Sequence, residues 1–298
     1  MKARLNALVL VTAAAGFVVA PANAMDWGRL GWMVLGTGLC AASAAMLNQL
    51  IEARRDALMT RTKSRPMPQR RFHPATVFVG ALILAYAGGS VLLAFSGWLP
   101  AALAQANIVL YAAIYTPLKR WTTLNTIVGA VCGAIPPMVG WTAVTGSLDP
   151  GGWILGGILF AWQIPHFLAL AWLYREDYER GGFEMLSVRD PSGQITGRAA
   201  LLTSLTLVPL SLSAVLYGVA GWWYAGTALV LGLWISIESA RFLHSRTNPR
   251  ARRLFLVSIA YLPLLLVAMV LDRGPASASA AARGGTPVIE VDRPEGAR

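Results

Sequence analysis

Three oxygen-bearing side chains recur at four-residue intervals in the stretch Asn48-Gln-Leu-Ile-Glu52-Ala-Arg-Arg-Asp56. On an α-helix that spacing stacks Asn48, Glu52 and Asp56 on one face, each a turn from the next. An amide and two carboxylates so placed offer the hard oxygens that Mg²⁺ prefers. That ion takes one or two carboxylates and completes its shell with phosphate and water. The residues that follow carry the opposite charge: Arg61, Lys63 and Arg65, with no acid between 57 and 74. Tyr115-Thr-Pro-Leu-Lys119-Arg120 adds two more cations. Carboxylates for a metal beside arginines and lysines suit a diphosphate, whose departure from an allylic carbon needs its developing charge stabilised. A solvated helix end followed by a loop that only sets topology is the plainer reading, and spacing alone leaves both open.

A second acidic group, Tyr174-Arg175-Glu176-Asp177-Tyr178-Glu179-Arg180, ends another apolar run. If the chain is a bundle of two related halves, both groups lie at corresponding helix ends and can converge. Glu179 and Glu184 read more simply as solvated acids. His166 stands in Trp162-Gln163-Ile164-Pro165-His166-Phe167, two turns before Tyr174. It is either a hydrogen-bonded packing residue or a polar, iron-contacting group for a flat acceptor, with Gln163 adding to a polar patch there. His73 and His244 lie at loop edges and read as interface residues.

The elements that must position these groups are membrane helices. Of 298 residues, 56% are hydrophobic and 13% charged, with a mean hydropathy of +0.55. A soluble domain of this length needs more polar surface. Apolar runs of near-bilayer length recur near 5–23, 30–53, 75–96, 99–117, 123–144, 152–174, 199–219, 221–244 and 254–271. The expectation is an all-α, polytopic membrane protein of about nine transmembrane helices. Gly129/Gly133 and Gly152/Gly156 have spacing that lets helices approach closely, and Cys40 and Cys132 read as small packed residues.

The net charge of +11 does not point to nucleic acid, because the cations form no free-standing domain. Apart from Arg29 and four arginines near the C-terminus, every Lys and Arg falls at the start or in alternate connections. That bias places the N-terminus and both candidate groups in the cytoplasm, with the C-terminal tail outside. The first run also resembles a signal peptide ending at Ala22–Ala24, but a hairpin partner follows at once, so a retained helix is expected. Residues 1–273 form the membrane domain, and the Ala-, Gly-, Ser- and Pro-rich residues 274–298 read as a disordered tail.

The stretches NQLIEARRDALMTRTKSRPMP, YTPLKRWTTLNTIVGAVCGAIPPMVGW and FAWQIPHFLALAWLYREDYERGGFEML resemble, in this order, signatures of the UbiA superfamily of intramembrane prenyltransferases, in its heme-prenylating branch. The likeness covers the first six helices and continues more loosely to residue 271. It implies a UbiA-type bundle, Mg²⁺ as cofactor, and farnesyl transfer from farnesyl diphosphate to a vinyl group of heme b with addition of water. The products would be heme O and diphosphate, made in the inner membrane for heme A synthase or terminal-oxidase assembly. The resemblance assigns Asn48, Glu52 and Asp56 to the first metal–diphosphate motif, and Arg61, Arg65, Lys119 and Arg120 to cationic positions, with Arg175 beside them. Tyr174, Asp177 and Tyr178 fall where the second acidic motif lies, with aromatic hydroxyls replacing some acids, and Asp177 would assist the metal. His166 fits the histidine expected near the heme, beside Gln163. The N-terminus departs from the pattern, since Met1-Lys-Ala-Arg4 lacks the longer arm with Lys-Pro-Arg.

Two rivals remain at this point. One is a related enzyme that prenylates a quinone precursor or chlorophyll-like ring, which WQIPHF disfavours. The other is a transporter, whose coupling charges would lie near the midplane rather than at one face. A purely structural assembly factor would need neither the carboxylate ladder nor its basic loop.

Overall fold

The computed structural model describes residues 3–22 and 24–273. Among them there are no strands. The helices run in order α1 (Ala3–Val19), α2 (Trp27–Asp56), α3 (Pro74–Phe95) and α4 (Trp98–Val109). The last of these continues without a break through a π-helical stretch, Leu110–Tyr115, into α5 (Thr116–Leu118). There follow α6 (Asn125–Thr145), α7 (Pro150–Leu173), the short α8 (Arg175–Arg180) and α9 (Leu186–Arg189). The chain closes with α10 (Gln194–Leu216), α11 (Trp222–Ser245) and α12 (Asn248–Leu271).

Eight of these units are long and apolar enough to cross a bilayer, counting Trp98–Leu118 as one. The expected ninth, α1, has 17 residues. At 1.5 Å per residue it falls short of the ~30 Å hydrocarbon core. It is nonetheless a member of the bundle. Gly16 and Gly140 let α1 and α6 touch backbone to backbone: a Cβ built on Gly140 would lie 1.8 Å from the Ala13 carbonyl oxygen. The expected tail, 274–298, lies outside the described residues.

Several helix ends extend past the apolar runs into charged sequence. α2 reaches Asp56 rather than stopping at 53, and α12 begins at Asn248 rather than 254. Charged residues in the first and last turns meet water or one another, so they do not end a helix whose backbone bonds continue. The starts have ordinary signals. Asp26 and Asp149 accept hydrogen bonds from first-turn N–H groups of α2 and α7, and Pro74 and Pro150 occupy the first turn of α3 and α7.

The helices alternate in direction, so the C-terminal ends of α2, α5 and α7 gather at one end of the bundle. At the other end, exposed Trp27, Trp98, Trp153, Trp222 and Trp223 ring the starts of α2, α4, α7 and α11, as indoles do at a membrane interface. Two apolar cores hold the bundle together. One joins α6 and α7 to α10, α11 and α12, and the other joins α1 to α2, α3, α4 and α6. A small third cluster, Met59, Ala171, Phe183 and Met185, packs the loop after α2 against the segment between α8 and α9. It caps the end where the candidate groups lie.

Candidate functional site

α2 carries its polar ladder inward. Asn48, Glu52 and Asp56 are all buried and line one cavity of about 280 Å³. Each polar side chain meets a partner from another segment. The Asn48 amide donates to Thr116 Oγ1 (2.9 Å). Lys119 Nζ lies 2.9 Å from Glu52 Oε1, and Arg65 Nη1 lies 2.7 Å from Asp56 Oδ2. Such pairs persist only because opposite charges offset desolvation. Burial by itself would lower the Lys119 pKa, but the charge of Glu52, with Tyr115, Tyr111 and the Glu52 hydrogen bond, carries it above its ordinary value. Lys119 is therefore an ammonium at the cavity wall.

The π-helical turn explains how Lys119 arrives there. Pro117 has no N–H to give the Ala113 carbonyl and would crowd it, so the preceding turn widens. Thr116 Oγ1 donates across the wide turn to the Tyr111 carbonyl oxygen (2.7 Å). The same widening sets Tyr111 and Tyr115 into the cavity lining, with Lys119 Nζ 4.3 Å from the Tyr115 ring centre.

The loop after α2 folds back as a second wall. Thr62 Oγ1 donates to the Asp56 carbonyl oxygen (2.8 Å). Asp177, at the start of α8, accepts from the backbone N–H of Thr60 (3.3 Å) and of Arg61 (3.1 Å), and pairs with Arg180. Burial would raise the Asp177 pKa, but the N–H groups of Arg61 and Thr60 and the Arg180 charge outweigh it and hold the carboxyl below its ordinary value. Arg61 is thereby aimed at the cavity, its guanidinium over the rings of Tyr174 (5.2 Å) and Tyr178 (5.7 Å) and donating to the Tyr178 hydroxyl (3.3 Å). On the facing side Arg55 donates to the carbonyls of Gly181 (2.8 Å) and Gly182 (2.6 Å). Asn125 donates to that of Glu184 (2.9 Å). These bonds hold Phe183 and Met185 over the cavity.

Most of the expected residues are thus brought together: Asn48, Glu52, Asp56, Arg61, Arg65, Lys119, Tyr178 and His166 share one cavity. Five expected residues do not line it. Asp177 is held by the loop backbone and by Arg180. Tyr174 offers its ring to Arg61, and Arg175 lies 4.8 Å from the centre of the Trp172 ring. Arg120 is exposed beyond the turn. Gln163 lines a second cavity of about 180 Å³, which shares Tyr111, Tyr115 and Phe167 with the first. A Cβ on Gly133 would fall 2.0 Å from Gln163 Oε1, so a larger residue there would displace the Gln163 amide.

Sequence reasoning missed Tyr111, Thr116 and Asn125. The Thr-Pro pair inside an apolar run was the one available sign of a widened turn.

A bundle whose buried acids and cations converge under a cap, continuous with an apolar interior, defines an intramembrane enzyme for a substrate with a phosphate head and a hydrocarbon body. The comparisons agree. The chain belongs to the UbiA prenyltransferase family, whose profile matches residues 9–262, and it is a prenyltransferase. It is similar to the protoheme IX farnesyltransferases of Opitutus terrae (41% identical, covering 91% of this chain and 92% of that one) and Salinibacter ruber (42%, 91% and 96%). It is also 43% identical to the mitochondrial protoheme IX farnesyltransferase of Homo sapiens over 92% of its length, spanning 61% of that longer protein. These three relatives are all named for the same transfer. Two solved structures share its fold. A digeranylgeranylglyceryl phosphate synthase matches with a TM-score of 0.76 at 14% identity, covering 89% of this chain and 93% of that one. An apo UbiA homolog from Aeropyrum pernix K1 matches with 0.68 at 16%, covering 91% and 98%.

Proposed function

We propose that the capped cavity binds the diphosphate of farnesyl diphosphate and that the chain transfers the farnesyl group to a vinyl carbon of heme b, yielding heme O. The observation that carries this reading is one cavity in which a buried Asn48–Glu52–Asp56 ladder meets Arg61, Arg65 and Lys119, with His166 lining the same cavity. The donor set suits a divalent cation, which we take to be Mg²⁺. Asp56 Oδ1 is buried without a hydrogen-bond partner, so a hard-oxygen ligand is in place. Among the described residues no three His, Cys, Asp or Glu side chains cluster as metal ligands. Two carboxylates and the Asn48 amide would hold the ion, leaving coordination to phosphate oxygens. When bound, the ion would neutralise negative charge on the departing diphosphate.

The protein's own residues do the rest. Lys119, Arg65 and Arg61 draw off charge as the allylic C–O bond ionises. The rings of Tyr111 and Tyr115 face the resulting allylic cation, and the cap of Phe183 and Met185 keeps water from it. The vinyl group of the acceptor attacks, forming the new C–C bond and a cation on the acceptor. Water captures that cation and a proton is released. Asp177 acts through the loop it clamps rather than by touching the metal. The cation distribution supports a cytoplasmic site and N-terminus in a cell's inner membrane, with heme A synthase or terminal-oxidase assembly as downstream partners.

The test is to supply farnesyl diphosphate and protoheme to membranes containing the protein and to resolve the hemes by chromatography and mass. A hydroxyethylfarnesyl heme that disappears in Asp56→Asn bears the reading out. A prenylated quinone precursor in its place would replace heme as the acceptor.

A further inference from the structure

His166 is held by two stacked rings and by a hydroxyl. Its ring stacks between Trp162 (centres 5.1 Å apart, planes 22°) and Phe255 of α12 (4.9 Å, 27°). Its Nδ1 lies 2.9 Å from the hydroxyl of Ser258, one turn along α12. Ser258 is fully buried, and its carbonyl oxygen accepts from Trp162 Nε1 (2.7 Å). One serine therefore fixes both the histidine and the tryptophan stacked on it.

The direction of the Ser258–His166 bond follows from proton counting. A serine hydroxyl has one proton. Ser258 Oγ also lies 2.7 Å from the Phe255 carbonyl oxygen, to which it donates. Were the proton turned to His166 instead, two oxygens would face each other at 2.7 Å with nothing between them. The hydroxyl proton thus belongs to the Phe255 bond, and His166 Nδ1 must be the donor. This assigns the Nδ1–H tautomer and leaves the lone pair on Nε2. Among the described residues that nitrogen makes no hydrogen bond, and it belongs to a residue lining the cavity.

We infer that Ser258 is a positioning residue for the acceptor: it fixes the His166 tautomer so that Nε2 presents its lone pair to the iron of a planar tetrapyrrole. The inference rests on the heme reading above and adds a role for a residue that touches neither substrate nor metal. A histidine that ligates a metal through one nitrogen ordinarily donates the other N–H to an oxygen, which raises its basicity and fixes its plane. Ser258 supplies that oxygen here.

The experiment is a titration of the purified full-length protein with protoheme IX, read by Soret absorption and by the iron–histidine stretch of the ferrous form. His166→Ala identifies which features come from the histidine. Ser258→Val and Ser258→Thr are matched in size and differ in the hydroxyl, so unequal folding is controlled by comparing their thermal unfolding. The expected result is that Ser258→Val binds protoheme about 10-fold or more weakly and shifts the iron–histidine stretch downward, while Ser258→Thr restores both. Wild-type affinity and stretch in Ser258→Val would overturn the inference, as would a wild-type spectrum indifferent to His166→Ala. If the Ser258 effect appears while membranes make no farnesylated heme, the positioning role stands and the proposed reaction fails. The two are thereby told apart.

Discussion

The chain ends two of its membrane helices in similar acidic sequence, and the structure uses them in opposite ways. At the end of α2, Asn48, Glu52 and Asp56 are buried side by side on the cavity wall, and each carboxylate faces a cation from a different segment. At the end of α7, Glu176 and Glu179 are exposed, and the one buried acid, Asp177, turns to the backbone of the loop after α2. The first group lines the cavity and the second holds its wall in place. What separates them is period. The α2 group repeats every four residues on one face of a continuous helix, whereas the α7 group is consecutive, so most of it must point to water.

The sharpest way to break this comparison is to remove charge from each group in turn. Glu52→Gln or Asp56→Asn should reduce farnesyl transfer by about 100-fold or more without impairing membrane insertion, as read by product mass in membranes of matched protein content. Chelating divalent cations should stop the wild-type reaction equally completely, and adding Mg²⁺ should restore it.

Lys119→Met should come next. It strands the Glu52 carboxylate in a buried setting, which costs about 3–5 kcal/mol when one partner of such a pair is lost. Thermal unfolding in detergent should show most of that loss recovered in the double variant Lys119→Met with Glu52→Gln, while activity stays absent. Recovery of activity would mean that the pair is only structural.

Asp177→Asn should have a smaller effect. It weakens acceptance from two N–H groups, worth about 1–3 kcal/mol, and loosens the loop that carries Arg61 and Arg65. The folded pKa of Asp177 lies below its ordinary value of 3.8. Its clamp is therefore complete above that pH and lost as pH falls through the lower folded value. Hydrogen exchange of the Thr60 and Arg61 amides, corrected for intrinsic rate, should lose protection on acidification below 3.8, and Asp177→Asn should remove the pH dependence. Arg120→Ala should change least, within about twofold by steady-state assay, because an exposed cation contributes little.

The ordering also marks what could be read from the chain alone. The ladder was legible because helical period and charge are local properties of sequence. So were the helices, since lipid forces backbone bonds to close within each segment. Arg65 and Lys119 were legible as cations, but their partners were not, because pairing depends on how α5 and the α2–α3 loop fold back. Tyr111 and Thr116 were invisible for a related reason, since a widened turn before Pro117 decides where they face, and Asn125 because its partner, the Glu184 carbonyl, is far along the chain. The contacts of Asp177 with the Thr60 and Arg61 amides were not legible, because only the fold brings the loop after α2 against the start of α8. Ser258 is the extreme case, an ordinary serine in an apolar run that acquires meaning only from the histidine across from it.

The central claim is that the buried α2 ladder serves a farnesyl transfer to heme. Membranes lacking heme O, supplied with this protein and farnesyl diphosphate, test it directly through the mass of their extracted hemes. The account predicts hydroxyethylfarnesyl heme with the wild type and none with Asp56→Asn. Heme O at wild-type levels from Asp56→Asn, or none from a well-inserted wild type, would contradict it.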